Sequence, residues 1–143
     1  MTESIGARSV DRYLPAVGRA LISVIFLVSG VGKIMGWSAT EGYMRSAGMF
    51  AVPFFLMMAT IIELGGGLSL LFGYWARIGA AALFLYLIPT TLVFHRFWSV
   101  PPQMARAQEA NFLRNLAIMG GLLLVVAREP CPFKLGTWFA RRT

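Results

Sequence analysis

Few side chains in this 143-residue chain could carry chemistry, and most of them sit where charge is costly. Glu63 is the deepest, thirteen residues after Phe50 and nine before Phe72 in one apolar run. At about 1.5 Å of rise per helical residue, it lies more than a turn or two from either end. A carboxylate at that depth must be paired, protonated or wetted. Lys33 closes an earlier apolar run, with Ser29 one helical turn before it. Thr91 and His95 end a third run and share a face at i,i+4. Asn111, Arg114 and Asn115 open a fourth, with Asn111 and Asn115 again on one face. Ionisable groups in apolar spans face a bundle interior, a cavity or a partner. The expectation is a polar pocket built from Lys33, Glu63, Thr91, His95, Asn111, Arg114 and Asn115. Its chemistry would be proton handling or the binding of a polar head group, with Lys33 and Arg114 both candidates to neutralise Glu63.

Other chemistries fit poorly. One His, one distant Cys and one deep Glu do not make a zinc set, so no metal is expected. Bis-His haem needs a second histidine, and His/Met ligation has no spacing support. No G-x-S-x-G, P-loop or dinucleotide fingerprint is present. Gly65-Gly66-Gly67 lies inside an apolar run and is not a phosphate loop. Cys131 is the sole cysteine, which excludes an intrachain disulfide and dithiol chemistry within one chain. It reads as a spare thiol in a polar tail, since no activating partner lies nearby.

The elements that position these residues follow from composition. The chain is 57% hydrophobic and 13% charged, against about 45–50% and about 25% in soluble domains. Folded in water, it would carry large apolar patches. Four runs approach the ~20 residues needed to span a bilayer as helix. They cover 13–33, 50–72, 78–94 and 112–127. They are too long for tilted strands and lack alternation. The fold expected is all-α: one antiparallel bundle of four transmembrane helices, with polar tails at 1–12 and 128–143. Arg8 and Arg12 before the first run, and Ser29-Gly30 near its end, loosely mimic a signal peptide. The run continues to Lys33 without an A-x-A site, so a retained helix is expected.

The connections add detail. Gly73-Tyr74-Trp75-Ala76-Arg77 is short enough to make the second and third spans antiparallel neighbours, with Gly73 as a left-handed C-cap. Ser38-Ala39-Thr40-Glu41 has a capping-box pattern and predicts a short interfacial helix over 40–47. Pro101-Pro102 predicts a helix start that leads into the fourth span.

Charge sets orientation. The tails and the middle loop carry seven basic residues: Arg8, Arg12, Arg77, Arg128, Lys134, Arg141 and Arg142. The two longer loops carry three: Arg45, Arg96 and Arg106. The excess favours both termini in the cytoplasm. The net charge of +7 is scattered or sits at span ends, which does not fit nucleic-acid binding.

Each candidate also has a structural reading. Lys33, Arg96 and Arg114 can anchor helix ends at headgroups. Asn111 and Asn115 can join helices, and Glu63 can be a structural partner to a base. The glycines read as packing devices and the eight methionines as core filler. Arg19, at the opposite end of the first span, can reach phosphates or a helix terminus, and stands outside the pocket.

In order, the stretches GRALISVIFLVSGVGKIMGW, IIELGGGLSLLFGYWARIGAAAL, TTLVFHRFW and EANFLRNLAIMGGLLLV resemble the DoxX family of small four-helix membrane proteins. The matching residues include Arg19, Ser29, Gly30, Lys33, Glu63, Gly67, Gly73, Arg77, Thr91, His95, Asn115, Gly120 and Gly121. Arg114 departs from the lysine often found there, which keeps the charge and changes the hydrogen-bond geometry. The resemblance implies a bundle in the bacterial inner membrane. It also implies an association with membrane redox systems, some of them quinone-linked and some acting with partner enzymes. The expected function is an integral subunit of such a system, with quinone as the candidate cofactor and the lipid bilayer and further membrane proteins, or more copies of itself, as partners. Two alternatives stand beside it: a small-molecule or lipid binding or transport protein, and a non-catalytic structural subunit.

Overall fold

The computed structural model describes residues 3–128, with side chains from residue 13 onward. The C-terminal tail with Cys131 lies outside the described residues. The described chain is helical: α1 (Glu3–Met35), α2 (Trp37–Ser46), α3 (Val52–Phe72), α4 (Ala76–Phe94), a single 3-10 turn at Phe97–Ser99, and α5 (Pro102–Arg128). Four stretches are long and apolar enough to cross a membrane: Tyr13–Met35, Val52–Phe72, Ala76–Ser99 and Pro102–Arg128. Their outward faces are lipid-like, with Leu21 70% and Val28 and Leu124 each 67% exposed. The hydrophobic effect gives no drive between helices in lipid, so close packing must hold the bundle.

Small residues supply that packing. α1 lies on α3 through a reciprocal fit: Leu64 fills the space over Gly30, and Leu27 fills that over Gly67. A Cβ on Gly30 would come within 2.7 Å of Leu64, and one on Gly67 within 2.9 Å of Leu27. α3 lies on α4 through Gly66, where a Cβ would meet Leu83 Cγ at 2.6 Å. Gly79 on α4 receives Ser69 in the same way. α4 then packs on α5, whose single buried residue among those described is Leu122. α1 and α5 meet where Ile22 packs against Gly121, in the half of the bundle away from α2. Phe26, Leu70, Ala80, Leu83, Leu87 and Leu122 form the main core of the bundle.

The link between α3 and α4 turns as the sequence implies. Gly73 is left-handed at φ 72°, and Trp75 follows at φ 54°. Ser69 Oγ donates to the Tyr74 carbonyl across the turn at 2.6 Å.

α1 begins at Glu3, so its backbone is helical ahead of the apolar stretch that starts at Tyr13. The start of the interfacial helix differs from expectation. α2 begins at Trp37, three residues early, and Gly36 is its N-cap without a side-chain cap bond. The capping box therefore does not form. Thr40 instead donates back to the Gly36 carbonyl at 3.0 Å, and Glu41 pairs with Arg45. The physical reason is continuity: Gly36 N–H still bonds to the Gly32 carbonyl, so only one residue separates α1 from α2. Packing then holds α2 down, since Met44 is buried with Val52 and Leu56 and flanked by Trp37. At the other end of the chain, α5 starts at Pro102 and runs unbroken into the fourth span.

Candidate functional site

The close α1–α3 approach brings the last turns of α1 against the middle of α3. Lys33 there meets Glu63. Its ammonium lies 2.8 Å from Oε1 and 2.7 Å from Oε2. The ammonium also donates to Ser29 Oγ at 2.7 Å, and Ser29 in turn donates to Glu63 Oε1 at 3.2 Å. α4 completes the cluster, with the Tyr86 hydroxyl donating to the same Oε1 at 2.8 Å. The Glu63 side chain is 5% exposed and that of Lys33 18%. A carboxylate this buried is stabilised by its paired cation and by charge-assisted hydrogen bonds.

The cluster forms part of the wall of a cavity of about 950 Å³ in the half of the bundle nearer α2. Pockets for small molecules commonly measure about 300–1,000 Å³. Most of its lining is apolar, including Phe26, Met58, Ile62 and Ile118. α2 contributes Thr40, Tyr43 and Met44, and Tyr43 stacks on Phe94 at 5.4 Å between ring centroids. Ile25, Phe54 and Leu85 line the cavity and are exposed, so it opens at the bundle surface.

The residues singled out in the sequence divide into three groups. Lys33, Glu63, His95 and Asn115 all line this one cavity. Thr91 is buried behind it and accepts a hydrogen bond from Asn115 Nδ2 at 3.0 Å, which joins α4 to α5 and orients the amide. Asn111 is half-buried and Arg114 exposed on α5, and neither is part of the lining. His95 Nδ1 lies 2.9 Å from Gln108 Oε1, so the start of α5 orients the imidazole. Arg19 stands apart: its guanidinium lies over Gly73, where a Cβ would be 2.7 Å from Nη2. That places a cation at the C-terminus of α3, where the helix dipole favours it. Among the described residues, no three side chains of His, Cys, Asp or Glu gather as a metal site.

Tyr86 and Gln108 escaped the sequence reading. Tyr86 had one available signal: it lies in the middle of an apolar span, away from the interfaces where tyrosine is ordinarily found. A buried hydroxyl at that depth calls for a partner. Gln108 carries no such signal, because it belongs to a polar stretch of ordinary helix surface.

The DoxX family profile matches residues 14–96, which takes in α1 from residue 14, α2 to α4 and the whole Lys33–Glu63–Tyr86 cluster. This chain belongs to the DoxX family. Among curated DoxX-like relatives, "Inner membrane protein YqjF" of Escherichia coli is 32% identical over 120 residues. That alignment covers 83% of this chain and 86% of the relative. "Inner membrane protein YphA" of the same organism is 25% identical over 114 residues, covering 80% and 81%. A "Surfeit locus protein 4 homolog" of Drosophila melanogaster is 25% identical over 132 residues, 88% of this chain and 46% of that protein. No solved structure matches. The protein is thus a DoxX membrane protein, similar to inner membrane proteins, with four helices among the described residues long and apolar enough to cross a bilayer.

Proposed function

We propose that this DoxX protein is a membrane subunit of a bacterial redox system and binds a quinone-type molecule in the cavity between its helices. One observation carries the reading: a mostly apolar cavity that opens at the bundle surface and has an ion-paired, hydrogen-bonded cluster in its wall. A lipid-soluble ring needs apolar walls for its body, a few placed polar groups for its oxygens and a route in from the membrane. Ile25, Phe54 and Leu85 mark that route, and Phe26, Ile62 and Ile118 offer the apolar walls. His95 or Asn115 would donate hydrogen bonds to the ring oxygens, while Glu63 would handle protons. A bound quinone supplies reversible two-electron, two-proton chemistry. The chain's own part is to hold the ring, exclude water from it and keep an acid–base pair beside it.

The seven-to-three distribution of basic residues supports placing both termini in the cytoplasm. The α2 end of the bundle, and with it the cavity, then faces outward.

The test is purification in mild detergent, followed by solvent extraction and mass spectrometry. A quinone recovered in near-stoichiometric amount is the expected result. Absence of any bound quinone, together with no binding of added quinone or quinol, overturns the reading.

A second reading has its own observation. Glu63 already receives hydrogen bonds from Ser29, Lys33 and Tyr86. A cluster so satisfied would also serve a purely structural subunit that works through protein partners in the membrane. Under that reading, mutations in the cluster change stability and leave ligand binding untouched.

A further inference from the structure

The hydrogen-bond inventory of the cavity is lopsided. Each hydroxyl has one proton to give. Those of Ser29 and Tyr86 both point at Glu63 Oε1. Those of Thr40 and Thr90, also in the lining, point at the backbone carbonyls of Gly36 and Tyr86. Lys33 has three N–H groups and three acceptors within 2.8 Å: Oε1 and Oε2 of Glu63, and Ser29 Oγ. Asn115 spends one N–H on Thr91. The donors of the Glu63 cluster are therefore turned inward, onto its own acceptors.

Acceptor capacity is left over. A carboxylate offers about four lone-pair positions. Oε1 has three partners, whereas Oε2 has only Lys33. The Tyr86 oxygen, which donates to Glu63, also keeps its lone pairs. Glu63 and Tyr86 both line the cavity. Elsewhere in the lining the second N–H of Asn115, the Tyr43 hydroxyl and the His95 ring, whose Nδ1 faces Gln108 Oε1, are the remaining side-chain donors, and none belongs to this cluster.

We infer that the Glu63–Tyr86 wall is an acceptor site for a phenolic hydroxyl, and that the cavity holds the hydroquinone form of its ligand in preference to the quinone. This rests on the quinone reading above and specifies which redox form is bound. A phenol O–H directed at Oε2 makes a short, charge-assisted bond. A quinone carbonyl there meets another acceptor and makes none, leaving both oxygens desolvated without a partner. A site built to bond a hydroxyl discriminates strongly against an analogue that lacks it.

The experiment measures binding of three probes to the full chain in detergent by anaerobic calorimetry: decylubiquinol, decylubiquinone and the dimethyl ether of the quinol. The ether keeps the reduced ring and removes its donors. The quinol is expected to bind at least about tenfold more tightly than either of the others, as fits a hydrogen bond to a charged group. In Glu63→Gln, whose amide offers a donor in place of the charge, the preference collapses. In Tyr86→Phe, which keeps the carboxylate, it survives; its loss there overturns the assignment to Glu63 Oε2, so this variant serves if Glu63→Gln does not fold. Equal affinities, or tighter quinone, overturn the inference and leave the quinone reading standing. A quinol preference that persists in folded Glu63→Gln removes Glu63 from the role and overturns it too. No binding of any probe overturns both.

Discussion

Lys33 and Glu63 join α1 to α3 through a two-pronged ion pair, with the ammonium 2.8 and 2.7 Å from the two carboxylate oxygens. The pair is the electrostatic centre of the bundle, and its partners come from α1, α3 and α4 together. Removing one member leaves the other charge in a nearly dry site. Lys33→Met alone should cost about 3–5 kcal/mol, the usual result of breaking a buried pair. Lys33→Met with Glu63→Gln should cost clearly less than the sum of the two single changes, since no lone charge remains. Thermal unfolding of the four proteins in one detergent checks this, and additive losses would refute a direct coupling.

Tyr86→Phe removes a donor to Glu63 Oε1 and no volume beyond one oxygen. Ser29 and Lys33 remain on that oxygen. A loss of about 1–2 kcal/mol is expected, at the lower side of hydrogen bonds to charged groups because polar contacts within membranes measure small. The reading is the unfolding midpoint, with helicity unchanged by circular dichroism.

The glycine triplet should respond unevenly. Gly66→Ala drives a Cβ to within 2.6 Å of Leu83 Cγ and pushes α4 off α3. Overpacking of this kind costs about 1–3 kcal/mol. Its neighbour Gly65 has nothing within 4 Å of a built Cβ, so Gly65→Ala should be neutral or slightly stabilising through helix propensity. Leu83→Ala introduced into Gly66→Ala should recover part of the loss. Equal effects at positions 65 and 66 would contradict the packing assigned to them.

Orientation has a direct chemical test, because Cys131 is the sole cysteine. In spheroplasts, a membrane-impermeant maleimide should leave Cys131 unlabelled until the membrane is broken. In a Cys131→Ser background, Ser99→Cys, on the 3-10 turn between α4 and α5, should label from outside. The reverse pattern would invert the topology proposed for the bundle.

Much of this was legible in the order of residues. Apolar runs of spanning length name the solvent, and with it the helices, because only a helix satisfies its own backbone along so short a path through lipid. Gly73 announced its left-handed turn, since a glycine takes that conformation without a Cβ clash. Depth was legible as well. Glu63 lies mid-span and Lys33 near a span end, and rise per residue converts position into height. The capping pattern at 38–41 misled, because a one-residue break after α1 set the start of α2 before any side chain could cap it.

Azimuth was not legible. Sequence alone leaves Lys33 and Arg114 as equal candidates to neutralise Glu63, and says nothing of Tyr86. That choice belongs to the rotation of each helix about its axis. Leu64 over Gly30 and Leu27 over Gly67 set that rotation for α1, and Leu83 over Gly66 sets it for α4. These fits turn Lys33 and Tyr86 onto Glu63, while Arg114 stays exposed on α5. Composition and spacing thus determined a membrane bundle with a charge in its middle. Only the tertiary packing decided which cation and which hydroxyl answer that charge, because the shapes that index one helix against another are read across space and not along the chain.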